Sequence, residues 1–503
     1  MVHTDSISSI AQARRKPIVI NANLSRVITR PYIPSTEERI SNIINRVLSL
    51  GEQETDKLLE TVLHNFSHRH RYFRETLERN FNRVANFVPD GKTLSKQTQL
   101  LIGSYFTAEY SVEAAALFNP SIIPVPGLQT DPEGSSRFIM SFRAVGEGHI
   151  SSIEFRSGII DNNNDLYFDP LSSYVRTPKI HPNPGYDRHL FQLKLQEMGA
   201  SNKVSQWLLS DLPEKFTFNE LQKRIDEHYS GNHIRESDKE QAIEKVLWLA
   251  RSNYEILFLP DHQISERVIF PVSESESCGI EDARFVRFVE DDGTVIYYAT
   301  YTAYNGHSIL PQLLETRDFL SFKISTLNGE QAQGKGMALF PRKIGGKYVM
   351  LSRQDGENNF IMFSHNLHFW QQAKIFQEPE FPHEFFQMGN GGSPIETAEG
   401  WLVITHGVGA MRTYSLGVEL LDLDDPSLII SRVDEPILMP NEHDRDGYVP
   451  NVIYSCGAMI CHDELIIPYA SADQRCGIAA LKMPELMARL LDNRRFDNTK
   501  APK

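Results

Sequence analysis

Apolar residues recur at helical spacing near the start of the chain. The first stripe consists of Ile40, Ile43, Ile44, Val47 and Leu48. It follows Ser35-Thr36-Glu37-Glu38, which has the form of a capping box and therefore predicts a helix start. After Gly51 a second stripe runs through residues 58–66. These patterns predict an N-terminal α-helical extension over residues 1–95.

After residue 101 the pattern changes to short runs of aromatic and β-branched residues, and one kind of run recurs. It occupies residues 135–146, 293–306, 346–356, 400–409 and 463–473. Each copy begins at a turn, passes through a strand-like segment and ends on polar residues. The spacings between Tyr301, Arg353, His406 and Ala470 are 52, 53 and 64 residues, the scale of a four-stranded propeller blade with loops. The repeat predicts a mainly β fold, a five-bladed β-propeller over residues 96–503.

The interval between the first two copies is about three times too long for one blade. Its excess has apolar positions at steps of three and four residues, as at Ile243, Val246 and Leu249. We therefore predict a helical insertion over about residues 185–252, between the first two blades.

Composition narrows the class of protein. The 503 residues contain 51 Lys plus Arg against 65 Asp plus Glu, a formal charge of -14 that argues against nucleic acid and anionic membranes as partners. No apolar run is long enough for a membrane span, and arginines interrupt the amino-terminal segment where a signal peptide needs apolar residues. These features predict a cytoplasmic protein. The four cysteines form no CxxC pair, and we expect no metal.

The polar residues that close the repeated strands are the first candidates for chemistry. In a propeller such strand ends surround a central channel, so we expect Arg143, Arg353, His406 and Asp473 to converge. Singly, each has an ordinary structural explanation as an ion-pair partner, a core histidine or a turn residue. Their common place in the repeat favours a shared site.

A second candidate is Gly279-Ile280-Glu281-Asp282-Ala283-Arg284, which leads into an apolar run. Neighbouring side chains on an extended strand point to opposite faces, so Glu281 and Asp282 should not both line one pocket. We expect one carboxylate to act and the other to pair with Arg284 or Arg287. A salt bridge at the start of a strand is the alternative explanation.

With these motifs the sequence resembles glycoside hydrolase family 130, the β-mannoside phosphorylases and mannosidases. The resemblance runs in order through residues 119–121, 141–143, 279–284, 335–344, 345–353, 388–395, 400–408 and 469–473. Together these motifs span most of residues 115–480 outside the helical insertion. The fold of the family is a five-bladed propeller, in agreement with the repeat.

The resemblance implies a role for each matching residue. Asp282 occupies the general-acid position of the family motif GxEDPR, and the family acts on β-mannosides with inversion, passing the proton through a hydroxyl of the mannosyl unit. The residues implied for the sugar site are Asn119, Arg143, Gln387 and Asp473. The residues implied for phosphate are Lys335, Arg353 and His406. Ala283 replaces the proline of the motif, and Gln387 stands where many members have a lysine.

The charges favour phosphorolysis over hydrolysis. An inverting hydrolase needs a second carboxylate to deprotonate water, whereas phosphate is already an anion and needs cations to hold it. We therefore predict an inverting phosphorylase that converts a β-mannoside and inorganic phosphate to α-mannose 1-phosphate, without a cofactor. Asp355, Glu357 and Glu396 are possible second carboxylates, so a β-mannosidase is the alternative, and a glycan-binding propeller without activity is another. Relatives often assemble through terminal helices, which predicts a homo-oligomer.

Overall fold

The computed structural model describes residues 12–229 and 236–492. Residues 1–11 of the predicted extension, 230–235 of the predicted insertion and 493–503 of the predicted propeller lie outside the described residues. The N-terminal part contains strands and helices: β1 (Arg14–Ile20), β2 (Val27–Pro31), α1 (Glu37–Leu48), α2 (Glu52–Phe66), α3 (Phe73–Asn82), α4 (Lys96–Tyr105) and β3 (Thr107–Ser111).

The two N-terminal apolar stripes form α1 and α2. Ile40, Ile44 and Val47 are buried on one face of α1, where they pack with residues of α3 and α4. Glu37 begins α1 and no side chain caps it, so the expected capping box at Ser35 is wrong. The expectation of a helical extension over 1–95 also left out β1 and β2, and β1 pairs with the last strand of the chain.

Beyond β3 the chain forms antiparallel β units. The first unit is β4 (Ala116–Pro124), β5 (Ser136–Val145), β6 (Ser151–Ile160) and β7 (Leu166–Phe168). A helical segment follows with five short strands around it: β8 (Lys179–Ile180), β9 (Gly185–Asp187), α5 (Arg188–Glu197), α6 (Lys203–Ser210), β10 (Lys215–Thr217), α7 (Phe218–Tyr229), α8 (Glu236–Arg251), β11 (Tyr254–Leu257) and β12 (Val268–Ile269). Its helices bury their own apolar core.

Four further units complete the β part. The second is β13 (Gly279–Val289), β14 (Val295–Tyr304), β15 (Ile309–Thr316) and β16 (Ser321–Thr326), and the third is β17 (Lys335–Leu339), β18 (Tyr348–Arg353), β19 (Asn359–Ser364) and β20 (Ala373–Gln377). The fourth is β21 (Gln387–Asn390), β22 (Ile395–Glu396), β23 (Trp401–Val408), β24 (Tyr414–Leu421) and β25 (Ile429–Arg432). The fifth is β26 (Ile453–Tyr454), β27 (Met459–Cys461), β28 (Glu464–Ser471) and β29 (Arg475–Lys482), followed by α9 (Met483–Asp492), and β1 adds a strand beside β29.

The units pack face to face through five apolar clusters. One cluster joins the first and second units, and others join the second to the third, the third to the fourth and the fourth to the fifth. A fifth cluster joins the last unit back to the first, for example Phe142 with Ile466 and Ile478. Because both faces of a unit are covered, a strand such as β14 is apolar on both faces: Ala299 faces the first unit and Tyr298 the third.

Candidate active site

Residues from all five β units line one cavity of about 240 Å³. Its lining is Asn119, Arg143, Glu281, Asp282, Lys335, Arg353, His406, Arg412, Tyr414, Val452, Tyr454 and Asp473. The structure thus brings together the four residues that close the repeated strands. The repeated segments are β5, β14, β18, β23 and β28. In four of the five units an earlier strand also supplies cavity residues: β4, β13, β17 and β26.

An irregular backbone explains how Glu281 and Asp282 both reach the cavity. Asp282 has a φ of 54°, and the register of β13 with β14 shifts between Glu281 and Arg284. In this β-bulge Asp282 is not extended, so the two neighbouring side chains do not point to opposite faces. Both residues line the cavity, and the expectation that they would point to opposite faces is therefore wrong. Asn119 sits in a comparable bulge of β4, with a φ of 48°.

Asp282 lies in a positively charged environment. Its Oδ1 accepts a hydrogen bond of 2.7 Å from the Asn119 side-chain amide and lies 3.5 Å from Nη1 of Arg143. Burial raises the pKa of Asp282, but the charges of Arg143 and Arg284, the Asn119 hydrogen bond and the charge of Lys335 outweigh it. The net result is a lowered pKa, so Asp282 is ionised at neutral pH.

Asp473 is the second carboxylate on this side of the cavity, and its pKa moves in the opposite direction. Burial and the negative charge of Asp282 raise the pKa of Asp473 to about 6, although Arg143 and Arg412 act against this rise. Asp473 has a φ of 50° and lies two residues after Ser471, the last residue of β28. Two carboxylates with pKa values displaced in opposite directions therefore share one positively charged neighbour, Arg143.

Glu281 connects the two sides of the cavity. Its Oε1 accepts from Nη2 of Arg143 at 2.9 Å, and its Oε2 accepts from Nζ of Lys335 at 2.5 Å. The expected pairing of this carboxylate with Arg284 or Arg287 is wrong, because Arg284 instead donates to the Tyr454 hydroxyl at 2.6 Å. Glu281 thus fixes one cation beside Asp282 and one on the opposite side.

The opposite side of the cavity contains Lys335 and Arg353, which are partners in the register of β17 and β18. Nη1 of Arg353 lies 3.3 Å from Nε2 of His406. Nη1 also lies 2.9 Å from the side-chain oxygen of Gln387 when that amide is oriented with its oxygen toward the guanidinium. Among the described residues, Arg353 makes no ion pair. Neutral hydrogen-bond acceptors therefore position its guanidinium group.

His406 is one of those neutral acceptors. Burial lowers the pKa of His406 well below its usual range, and the charges of Arg353 and Arg284 lower it further. The neutral ring donates from Nδ1 to the backbone oxygen of Asn390 at 3.1 Å, which leaves Nε2 to accept from Arg353. A side chain at Gly389 would place its Cβ 2.5 Å from the imidazole, so glycine allows β21 to approach. His406 therefore orients Arg353 and adds no positive charge, contrary to the expectation that it would supply some.

Comparison with known proteins gives the family. The model of glycoside hydrolase family 130, described as beta-1,4-mannooligosaccharide phosphorylase, matches residues 252–491. The chain is 35% identical over 230 residues to the 1,2-beta-oligomannan phosphorylase of Thermoanaerobacter sp. (strain X514), an alignment covering 44% of this chain and 75% of that relative. The chain belongs to glycoside hydrolase family 130.

Two further proteins are similar to this chain. The Beta-1,2-mannobiose phosphorylase of the same Thermoanaerobacter strain is 35% identical over 233 residues, covering 41% of this chain and 68% of that protein. Among solved structures, the chain is similar to the Beta-1,2-Mannobiose phosphorylase from Listeria innocua in complex with beta-1,2-mannobiose. That similarity has a TM-score of 0.44 and 20% identity and covers 76% of this chain and 93% of the other.

Within this family-130 chain, the sequence motifs did not identify every residue of the cavity. Arg412, Tyr414, Val452 and Tyr454 also line it. Tyr414 lies opposite Val408 in the hairpin of β23 and β24. The register of that hairpin could therefore have indicated that Tyr414 lies near the cavity. Arg412 lies in the turn of the same hairpin, with a φ of 55°, and no sequence pattern marks it.

The remaining predicted residues lie beside the cavity or away from it. Gln387 lies behind the lining, where its amide is 3.3 Å from the Tyr414 hydroxyl. Asp355 accepts hydrogen bonds from the backbone of its own turn, including that of Glu357, and Glu396 pairs with Arg342 beside a different cavity. Across residues 12–229 and 236–492, the structure contains no helix with the length and hydrophobicity of a membrane span.

Proposed function

We propose that this protein is an inverting phosphorylase that cleaves a β-mannoside with inorganic phosphate. An oxygen of phosphate attacks C1 of the mannosyl unit while the glycosidic bond breaks, and α-mannose 1-phosphate forms. The leaving oxygen takes up the proton of Asp282, relayed through a hydroxyl of the mannosyl unit. The names of the two Thermoanaerobacter relatives, a 1,2-beta-oligomannan phosphorylase and a beta-1,2-mannobiose phosphorylase, support this reaction.

The observation that carries the proposal is the division of one cavity into two sides. On one side, Asp282 is held by Asn119 and Arg143. On the other, Lys335 and Arg353 face the same space, and Arg353 is held by neutral acceptors. This arrangement suits an anionic nucleophile, because a phosphate needs cations and no general base.

The positions of the other carboxylates support phosphorolysis over hydrolysis. Among the described residues, Asp355, Glu357 and Glu396 do not line the cavity. Glu281 lines it, but both of its oxygens already accept hydrogen bonds from cations, which hold the carboxylate in place between Arg143 and Lys335. Asp473 is the remaining lining carboxylate, and we assign it with Asn119 and Arg143 to the mannosyl unit.

The charges also suggest how the acid obtains its proton. Although burial acts in the opposite direction, the charges of Arg143, Arg284 and Lys335 lower the pKa of Asp282. A phosphate bound between Lys335 and Arg353 would offset part of this positive charge and raise the pKa of Asp282. We infer that phosphate binding favours the protonated acid, so that the nucleophile and the proton donor become ready together.

The proposal includes the finer description of the fold. The five β units would be the blades of a five-bladed propeller, and the clusters that join each unit to the next and the last to the first support this. The helices within residues 1–95 and 185–252 would be accessory to a catalytic domain over 96–503. A homo-oligomer and a cytoplasmic location complete the proposal, and light scattering and cell fractionation would test these two points.

The deciding experiment separates the two possible products. Purified protein is incubated with β-1,2- and β-1,4-mannobiose, with and without phosphate, and mannose 1-phosphate and free mannose are measured separately. We expect mannose 1-phosphate to increase with phosphate concentration until it saturates. Release of two mannose molecules from each mannobiose without phosphate would show that the protein is a mannosidase. Binding of the sugar without turnover would show that it is a glycan-binding propeller.

A further inference from the structure

Helix α5 of the helical insertion contacts the stretch of chain that leads to Lys335. Residues 327–334, which we call the connecting segment, join β16, the last strand of the second unit, to β17, which begins at Lys335. The described residues of the insertion do not line the cavity, and the family-130 model begins only at residue 252. The insertion can therefore affect the cavity only through its contacts with other parts of the chain.

Two side chains on one face of α5 hold the start of the connecting segment. Nζ of Lys194 donates to the backbone oxygen of Leu327 at 2.9 Å and to Oε2 of Glu197 at 3.0 Å. The other carboxylate oxygen of Glu197, Oε1, accepts from the backbone N–H of Gly329. Lys194 is only 6% exposed, and a lysine is rarely buried unless its charge is paired and hydrogen-bonded. The pair thus binds one carbonyl and one amide of the same short segment.

The connecting segment is also packed tightly against the third unit. Gly329 has a φ of 103°, and a Cβ at this position would lie 2.1 Å from the backbone oxygen of Trp370. The amides of Asn328 and Gln331 donate to the backbone oxygens of His368 and Trp370. Because so little free space remains, a shift at the contact with α5 is passed along the segment instead of being absorbed within it.

The strand that carries Lys335 does not fix its position by regular pairing. Lys335 lies between Gly334 and Gly336, which have φ values of 78° and 85°. The register of β17 with β18 also shifts between Lys335 and Ala338. Lys335 is therefore part of a β-bulge at the very start of its strand, and its position depends on the segment that precedes it.

A side chain next to Arg353 completes the connection. Gln354 donates from Nε2 to the backbone oxygen of Gln331 at 3.1 Å, and its Oε1 accepts from the Ser352 hydroxyl at 3.0 Å. The connecting segment is thus hydrogen-bonded to α5 at its start and to the neighbour of Arg353 farther along. Both contacts precede Lys335, so together they determine where Lys335 stands relative to Arg353.

We propose that Lys194 and Glu197 are positioning residues for the phosphate site, because through the connecting segment they hold Lys335 at the spacing from Arg353 that phosphate requires. This inference rests on the proposed function, in which Lys335 and Arg353 bind phosphate. Charge-assisted hydrogen bonds to phosphate oxygens are short, so a small displacement of one cation weakens binding even when the change lies far from the ligand.

Kinetics of variants in α5 test the inference. Lys194→Met removes the donor to Leu327, and Glu197→Ala removes the acceptor of the Gly329 amide. In both variants we expect KM for phosphate to rise about 3- to 30-fold, while KM for the mannoside changes less than about twofold. Glu197→Gln keeps an acceptor oxygen and should lie closer to the parent than Glu197→Ala. A general loss of structure would not separate the two KM values in this way.

Arg188→Met is the matched control. Arg188 is a cation of the same helix, and its Nη1 donates to the backbone oxygen of Leu212 at 2.6 Å, within the insertion. We expect both KM values of this variant to equal those of the parent. Amide hydrogen exchange of residues 327–336, measured without substrate, should be faster in Lys194→Met and Glu197→Ala than in Arg188→Met.

Three results would overturn the inference. The first is an unchanged KM for phosphate in the folded variants, whatever their hydrogen exchange. The second is an equal rise of both KM values, and the third is a rise of KM for phosphate in Arg188→Met as large as in Lys194→Met. If Lys194→Met does not fold, the comparison of Glu197→Ala with Glu197→Gln decides. Turnover of the parent without dependence on phosphate would overturn the proposed function itself, and this failure is recognised before any variant is compared.

Discussion

The charges on the two sides of the cavity are balanced in different ways. On the side of Asp282, which we call the acid side, carboxylates and cations neutralise one another: Arg143 contacts both Glu281 and Asp282. On the side of Lys335 and Arg353, which we call the cation side, Arg353 contacts the neutral ring of His406 and the amide of Gln387. Positive charge is therefore balanced beside Asp282, whereas the charge of Arg353 is not balanced by a carboxylate among the described residues. The difference suggests that an anion completes the cation side and that the acid side is already assembled without it.

The strongest test of this comparison removes the proton donor. Asp282→Asn keeps the size and the Asn119 contact of the side chain but cannot deliver a proton, so kcat should fall about 10²- to 10⁴-fold. The cation side is unaltered and a nearby negative charge is removed, so phosphate binding measured by calorimetry should be retained or become tighter. Asp355→Asn is the control, because Asp355 bonds only within its own turn among the described contacts. Near-normal turnover of Asp282→Asn would contradict the role of the acid.

Removing the cation held by neutral groups should affect phosphate selectively. Arg353→Ala removes a charged hydrogen bond of about 1.5–3 kcal/mol, so KM for phosphate should rise about ten- to a hundredfold. KM for the mannoside should change much less, because Asn119, Arg143 and Asp473 remain in place. Arg342→Ala serves as the control, since Arg342 belongs to the same β unit but pairs with Glu396 at another cavity. An equal rise of both KM values would contradict the division into two sides.

The two carboxylates of the acid side should respond to pH in opposite ways. The folded protein retains a proton on Asp473 up to about pH 6, whereas the unfolded chain releases it near pH 4, so Asp473 lowers stability as pH rises between these values. Asp282 has a lowered pKa, so its stabilising contribution is present above about pH 4 and is lost as pH falls through its folded pKa.

Urea unfolding of two variants would measure this difference. Relative to the parent, the free energy of unfolding of Asp473→Asn should increase by on the order of 2 kcal/mol between pH 4 and pH 7. The free energy of unfolding of Asp282→Asn relative to the parent should change little over that range and should rise as pH falls below about 4, where the parent loses the contribution of Asp282. The same direction of change in both variants would show that Arg143 does not divide its charge between the carboxylates as the structure indicates.

The regular strands of the fold could be predicted from sequence because packing determines their composition. The repeated segments are apolar on both faces, as in β14, since each lies between two neighbouring units. The shared position at the ends of these segments was enough to predict that four polar residues converge: Arg143, Arg353, His406 and Asp473. Strand β1 could not be recognised in this way, because it lies at the edge of the last unit and only partly buries its residues.

The bulged strands could not be predicted in the same way. The alternation rule placed Glu281 and Asp282 on opposite faces, and it failed because a left-handed residue breaks the alternation. Family resemblance supplied the position of Asp282, but the pairing of Glu281 with Arg143 and Lys335 depends on distant segments. Likewise, no local pattern indicates that burial makes His406 neutral.

The smallest expected effect concerns the support of the cation side. Tyr414→Phe removes a hydroxyl that lies 3.3 Å from the Gln387 amide, while the ring can remain stacked on His406. Because a neutral hydrogen bond contributes only about 0.5–1.5 kcal/mol, KM for phosphate should rise about 2- to 10-fold, less than for Arg353→Ala. KM for the mannoside should stay constant. Tyr348→Phe is the matched control, because the hydroxyl of Tyr348 contacts Glu290 outside the cavity. A rise in mannoside KM alone would show that Tyr414 acts on the sugar and not through Gln387 and Arg353.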